Sequence, residues 1–154
     1  MSMVEKLPEL PEKEAEPVGA AKTIETVLKA LNKDIKLARN GANNWEVTEG
    51  SAKIKITYNP DNYFVTGDAF LCQMPSDGTK IKPLYQFLLQ ENYRLNGLVL
   101  SCSGQNIVLS CIMYDLDMNE INGREQFEKL FKKADEYDDL LKREFGCLDR
   151  LTEQ

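Results

Sequence analysis

Apolar residues in this chain recur at spacings of three and four, then at every second position, and later return to three and four. The first spacing gathers them on one stripe of a helix, and the second on one face of a strand. The chain must therefore build helices and a sheet that share a core. Ile24, Val27, Leu28, Leu31, Ile35 and Ala38 predict an amphipathic helix over about 20–39, ended at Asn40-Gly41 by left-handed backbone at Gly41. Trp45 and Val47 then alternate with polar neighbours, and Glu49-Gly50-Ser51 reads as a turn. Ala52, Ile54, Ile56 and Tyr58 alternate with Lys53, Lys55 and Thr57, which is a strand with one wet face. After the turn Asn59-Pro60-Asp61-Asn62, Tyr63 to Met74 reads as a third strand, bulged or bent at Gly67.

Pro75 to Gly78 form a loop, and Thr79 is expected to cap a second helix reaching about Tyr93, with Pro83 in its first turn, where a missing N–H costs little. Leu84, Tyr85, Phe87, Leu88 and Leu89 cover about 200° of that helix, whereas a helix lying on a sheet needs little more than ~100°. The excess predicts that one side meets the core and the other a subunit, a second helix or a client. Gly97–Cys102 and Asn106–Tyr114 read as a hairpin. With Gly104-Gln105 as its loop, Cys102 faces Ile107, Leu100 faces Leu109 and Leu98 faces Cys111. Leu98, Leu100, Cys102, Ile107, Leu109, Cys111 and Met113 then share a core face, and the opposite face carries Val99, Val108, Ile112 and Tyr114. A last helix over about 124–145 buries Phe127, Leu130, Phe131, Ala134, Tyr137, Leu141 and Phe145, and Gly146 is its expected C-cap.

Residues 1–19 stand apart. Pro8, Pro11 and Pro17 interleave with Glu5, Glu9, Glu12, Glu14 and Glu16, a composition that cannot bury enough surface to offset the entropy of ordering. They are read as a disordered acidic tail ahead of one domain over 20–150. A chain of 154 residues with 42% hydrophobic content suits one domain with a real core.

Charge and residue usage exclude several chemistries. Nineteen basic against 25 acidic residues leave a formal charge of −6, unsuited to a phosphate backbone, so no nucleic acid is expected. The absence of histidine removes Ser-His and Cys-His nucleophile pairs and His-based zinc sites. Cys72, Cys102, Cys111 and Cys147 contain no C-x-x-C pair, and no secretory h-region or membrane span is visible. Reduced thiols in a cytoplasmic protein are expected, with Cys147, outside the core stripe, as the exposed one. No phosphate-cradling glycine loop occurs. Asp115-Leu116-Asp117-Met118-Asn119 offers oxygens like a calcium loop, but Glu120 and Gln126 stand where such a loop needs Gly and Glu. An Asp-x-Asp after an apolar strand also resembles a phosphatase nucleophile motif, yet one helix and a tail cannot supply the remaining domain. A polar turn is the expected role of 115–120, with a divalent-cation or ligand site there, or an enzyme built on it, as the alternative.

The resulting order, α-β-β-β-α-β-β-α, resembles that of type III secretion chaperones and the YbjN family. The likeness extends to residue pattern in about the last 65 residues: Leu84-Tyr85-Gln86-Phe87-Leu88-Leu89-Gln90-Glu91-Asn92 resembles the family helix ending in Asn. Gly104-Gln105-Asn106-Ile107-Val108-Leu109 resembles its hairpin, and Lys133-Ala134-Asp135-Glu136-Tyr137-Asp138 with Leu141 resembles its terminal helix. The elements predict an α+β domain with one five-stranded antiparallel sheet and three helices, and the resemblance implies a compact α+β domain, frequently dimeric, with no catalytic residue to carry over. It also implies a chaperone that holds an extended effector segment, or a sensory or regulatory protein. The expected function is thus non-enzymatic protein binding, as a homodimer or on a client peptide. No cofactor or metal is expected, and the interface is placed at Tyr85, Phe87, Leu89, Val99, Val108 and Ile112.

Overall fold

A computed structural model of the protein describes residues 19–151. The acidic tail expected over 1–19 therefore lies, apart from Gly19, outside the described residues. Helix α1 (Ala20–Ala30) and the single turn α2 (Ile35–Ala38) precede β1 (Asn44–Glu49), β2 (Ala52–Asn59) and β3 (Phe64–Gln73). Helix α3 (Ile81–Arg94), β4 (Val99–Ser103), β5 (Asn106–Tyr114), the long helix α4 (Glu120–Phe145) and the short β6 (Leu148–Asp149) follow. The strands form one antiparallel sheet in the order β1-β2-β3-β5-β4, and β6 pairs with the end of β3 that β2 does not reach. This is the expected α+β architecture.

The inward residues of the three central strands meet α4. Ala52, Ile54 and Ile56 of β2, Val65, Ala69 and Leu71 of β3, and Ile107, Leu109 and Cys111 of β5 are buried against Phe127, Leu130, Phe131, Ala134 and Leu141. Burying a side chain of this size is worth about 1.5–3 kcal/mol, so this layer contact dominates the fold. Gly67 lets α4 approach: a Cβ there would stand 2.8 Å from Leu130 Cδ2 and 3.1 Å from Cys111 Sγ. Helix α1 adds Ile24, Val27 and Leu28 to the same core.

Several boundaries differ from expectation for identifiable reasons. The helix predicted over 20–39 breaks at Asn32, whose φ of 64° is left-handed. There the Lys33 N–H bonds the Leu28 carbonyl and the Asn32 N–H bonds the Lys29 carbonyl, the paired bonds of a Schellman stop. Asp34 then caps α2 by accepting from the Lys36 and Leu37 amides. Gly41 lies in the turn before β1 rather than ending a helix. The irregularity in β3 falls between Phe70 and Cys72, not at Gly67. Asp77, rather than Thr79, caps the 3₁₀ turn that leads into α3, accepting from both the Thr79 amide and hydroxyl. The hairpin register is as expected, with Cys102 opposite Ile107 and Leu100 opposite Leu109. Cys102 is nevertheless exposed near the end of β4, while Leu98 is buried just ahead of that strand. Helix α4 begins four residues early because Asn119 and Asn122 form a reciprocal capping box. The cysteine expected at the surface, Cys147, is buried, because Gly146 turns the chain back onto β3.

Candidate functional site

Helix α3 starts from the Asp77-capped turn and carries Pro83 as its third residue, inside the first turn. Four of its side chains tie it down. Leu84 and Leu88, one turn apart, enter the core. Phe87 packs on Phe145 of α4 with ring centroids 5.1 Å apart. Glu91 accepts from the Tyr137 hydroxyl at 2.8 Å. Burial, with that bond adding to it, raises the Tyr137 phenol above its ordinary value.

Asn92 does something different. Its Nδ2 donates to the Leu100 carbonyl at 2.9 Å, and its Oδ1 accepts from the Leu100 amide at 2.7 Å. One side-chain amide thus imitates a neighbouring strand at the open edge of β4, where unpaired backbone would otherwise invite pairing. In the sequence, Asn92 marks only the end of a helix pattern.

The other side of α3 is bare. Tyr85 is 48% exposed, Leu89 70% and Tyr93 93%. Their spacing of four keeps them on one stripe. Tyr93 is not among the expected interface residues, although the same spacing from Leu89 marks it. Of the other expected interface residues, Val99 and Ile112 are exposed on the outer sheet face. Val108, between Phe70 and Ser101 in the ladder, is buried. Structure therefore divides the expected set: Tyr85, Leu89, Val99 and Ile112 reach the surface, while Phe87 and Val108 are occupied within the protomer. An open groove of about 400 Å³ runs beside Ile112, Met113 and Tyr114 to Asp117, Asn122 and Glu125 of the α4 entrance.

The acidic stretch 115–120 is largely committed to local structure. Asp115 Oδ2 accepts from the Tyr58 hydroxyl at 2.7 Å, a bond that also pushes the Tyr58 phenol up. Asn119 caps α4. Among the described residues no group of three or more His, Cys, Asp or Glu side chains is placed to hold a metal ion. Ser110 donates to Asp68 at 2.6 Å. Ser51 contacts Lys142 at 2.8 Å, a pairing the sequence did not announce. That ammonium, although burial pulls its pKa down, is raised overall by its bonds to Asp149 and Asp138. It stays protonated and cannot act as the base for Ser51.

Three solved structures share this arrangement. The type III secretion chaperone SycH of Yersinia pestis, in complex with a fragment of YscM2, matches with a TM-score of 0.54 at 13% identity, over 75% of this chain and 96% of the other. The ExoU–SpcU complex from the type III secretion system of Pseudomonas aeruginosa matches with a TM-score of 0.57 at 15% identity, over 78% and 98%. The HopA1–SchA chaperone–effector complex matches with a TM-score of 0.57 at 9% identity, over 80% and 99%. The fold is that of type III secretion chaperones. The sequence matches no protein-family model and no curated protein. Among the described residues no helix is long and apolar enough to cross a membrane.

Proposed function

We propose that this chain is a non-enzymatic, chaperone-like protein-binding module that pairs with a second copy of itself through α3 and holds a client polypeptide. One observation carries the reading: Tyr85, Leu89 and Tyr93 form an apolar stripe on a helix whose opposite side is already spent on Leu84, Leu88, Phe87 and Asn92. A monomer gains nothing from such a stripe in water, whereas a twin placing the same stripe against it buries both. A stable interface buries about 800 Å² per partner, and Val99 on β4, the strand that Asn92 ties to α3, is exposed as well. The complexes with the same fold, each holding a partner polypeptide, support a polypeptide as client; the setting proposed is cytoplasmic. They favour a secretion-chaperone role over the sensory or regulatory role that the YbjN resemblance suggests.

Light scattering on the full chain at micromolar concentration tests the reading. The expected result is a dimer, converted to a monomer with unchanged circular dichroism by Leu89→Glu or Tyr85→Glu. A wild-type monomer overturns it, as does a dimer that both variants leave intact.

A further inference from the structure

Two cysteines far apart in sequence meet where α4 ends. Cys72 sits on β3 just past the point where its pairing with β5 shifts register. Left-handed Gly146 turns the chain after α4, the Cys147 amide bonds the Leu141 carbonyl, and Leu148 and Asp149 pair with Gln73 and Cys72. Cys72 is 0% and Cys147 6% exposed, and their two thiols share a hydrogen bond. That bond raises Cys72 and lowers Cys147, making Cys147 the better source of the thiolate that attacks disulfides. The other two thiols are differently placed: Cys111 is pushed up to about 12 by burial, and Cys102 is exposed near the end of β4.

We propose that Cys72 and Cys147 are an oxidisable pair whose disulfide staples β6 to β3 when the protein meets a small-molecule disulfide oxidant. With oxidised glutathione, the Cys147 thiolate attacks one glutathione sulfur and expels the other glutathione as a thiolate. Cys72, giving up its proton, then attacks Cys147 Sγ and expels the second glutathione. One S–S bond forms in the protein, one breaks in the oxidant, and the two thiol protons end on two reduced glutathione molecules.

The buried sulfurs become reachable because β6 is short. It is held by two ladder positions, by Gln73 Nε2 donating to the Asp149 carbonyl at 2.8 Å, and by the Lys142–Asp149 ion pair at 2.9 Å. Arg150 Nε adds a bond to the Ser51 carbonyl at 2.9 Å. A two-residue strand so held opens locally without global unfolding. Once made, the bridge closes a long loop in the unfolded chain, which stabilises the fold.

The test uses the full chain carrying Cys102→Ser, which removes the exposed thiol. After incubation with oxidised glutathione and alkylation under denaturant, the expected mass falls by two hydrogens before alkylation. One thiol, Cys111, remains to be alkylated, and peptide mapping joins Cys72 to Cys147. The melting temperature rises, and dithiothreitol reverses both changes. Adding Cys147→Ser abolishes the mass loss; should that variant misfold, the map of the Cys102→Ser protein decides alone. Three alkylated thiols after prolonged oxidation, a glutathione adduct that never closes, or a bridge to Cys111 overturns the proposal.

Discussion

Glu25 is 4% exposed yet carries a full charge into the junction of α1, α2 and β1. Arg39 Nε and Nη2 donate to its two oxygens at 2.6 Å each, and Trp45 Nε1 donates to Oε2 at 2.9 Å. The Arg39 bonds are the main cause holding its carboxyl below the ordinary glutamate value near 4.5; burial acts the other way and loses. A lowered folded pKa gives stability that is complete above the unfolded value and disappears as pH falls through the folded one. Unfolding followed from neutral to acid pH should therefore show this contribution constant down to about pH 5 and shrinking below it. Glu25→Gln should remove that acid-limb dependence and cost about 1.5–3 kcal/mol at neutral pH, the range for hydrogen bonds to a charged group. Denaturant melts of the two proteins at pH 7 and pH 4 check both statements, and parallel curves would refute the assignment. No sequence pattern announced this triad. Its members lie on α1, just past the end of α2 and on β1, and the Schellman stop at Asn32 turns the chain so that Arg39 and Trp45 come back beside α1.

At the scale of elements, short polar side chains decide where helices begin and end. Asn119 accepts from the Ile121 and Asn122 amides at 2.9 Å, and Asn122 Oδ1 accepts from the Asn119 amide at 2.8 Å. Asn119→Ala should cost about 1 kcal/mol, lowering the melting temperature by about 2–4 °C for a domain of this size. Calorimetry should show that shift without loss of the native spectrum; an unchanged midpoint would mean that the box contributes nothing. Residues responsible for such stops are visible in the sequence in hindsight. Asn32 followed by Asp34 is a stop and a restart, and Asn119 with Asn122 is a start. The apolar stripe of α1 ran across the first pair because Leu31 and Ile35 keep helical spacing while the backbone between them does not. Periodicity reports which side chains seek the core, and it is blind to a break that leaves them pointing the same way.

For the molecule as a whole, apolar area and net charge oppose each other. In the proposed dimer, two copies meeting through Tyr85, Leu89 and Tyr93 each bring a formal charge of −6, and their repulsion is screened by salt over a Debye length of about 10 Å at 0.1 M. Self-association of the full chain should therefore strengthen as sodium chloride rises from low to physiological concentration. Dilution series followed by light scattering measure it. Weaker association at higher salt would place ion pairs, not the apolar stripe, at the contact.

Within the chain, residue pattern alone determined the order of helices and strands, the register of the β4–β5 hairpin and the excess of apolar circumference on α3. Each of these depends on side chains within a few positions of one another, where backbone periodicity fixes what shares a face. Tertiary structure alone decided that Phe87 is spent on Phe145 and Asn92 on the edge of β4. It also decided that Glu25 is shared by Arg39 and Trp45, and that Cys147 is folded under β6 against Cys72. Those outcomes depend on which distant segment a chain meets after it turns, and spacing along the sequence carries no record of that meeting.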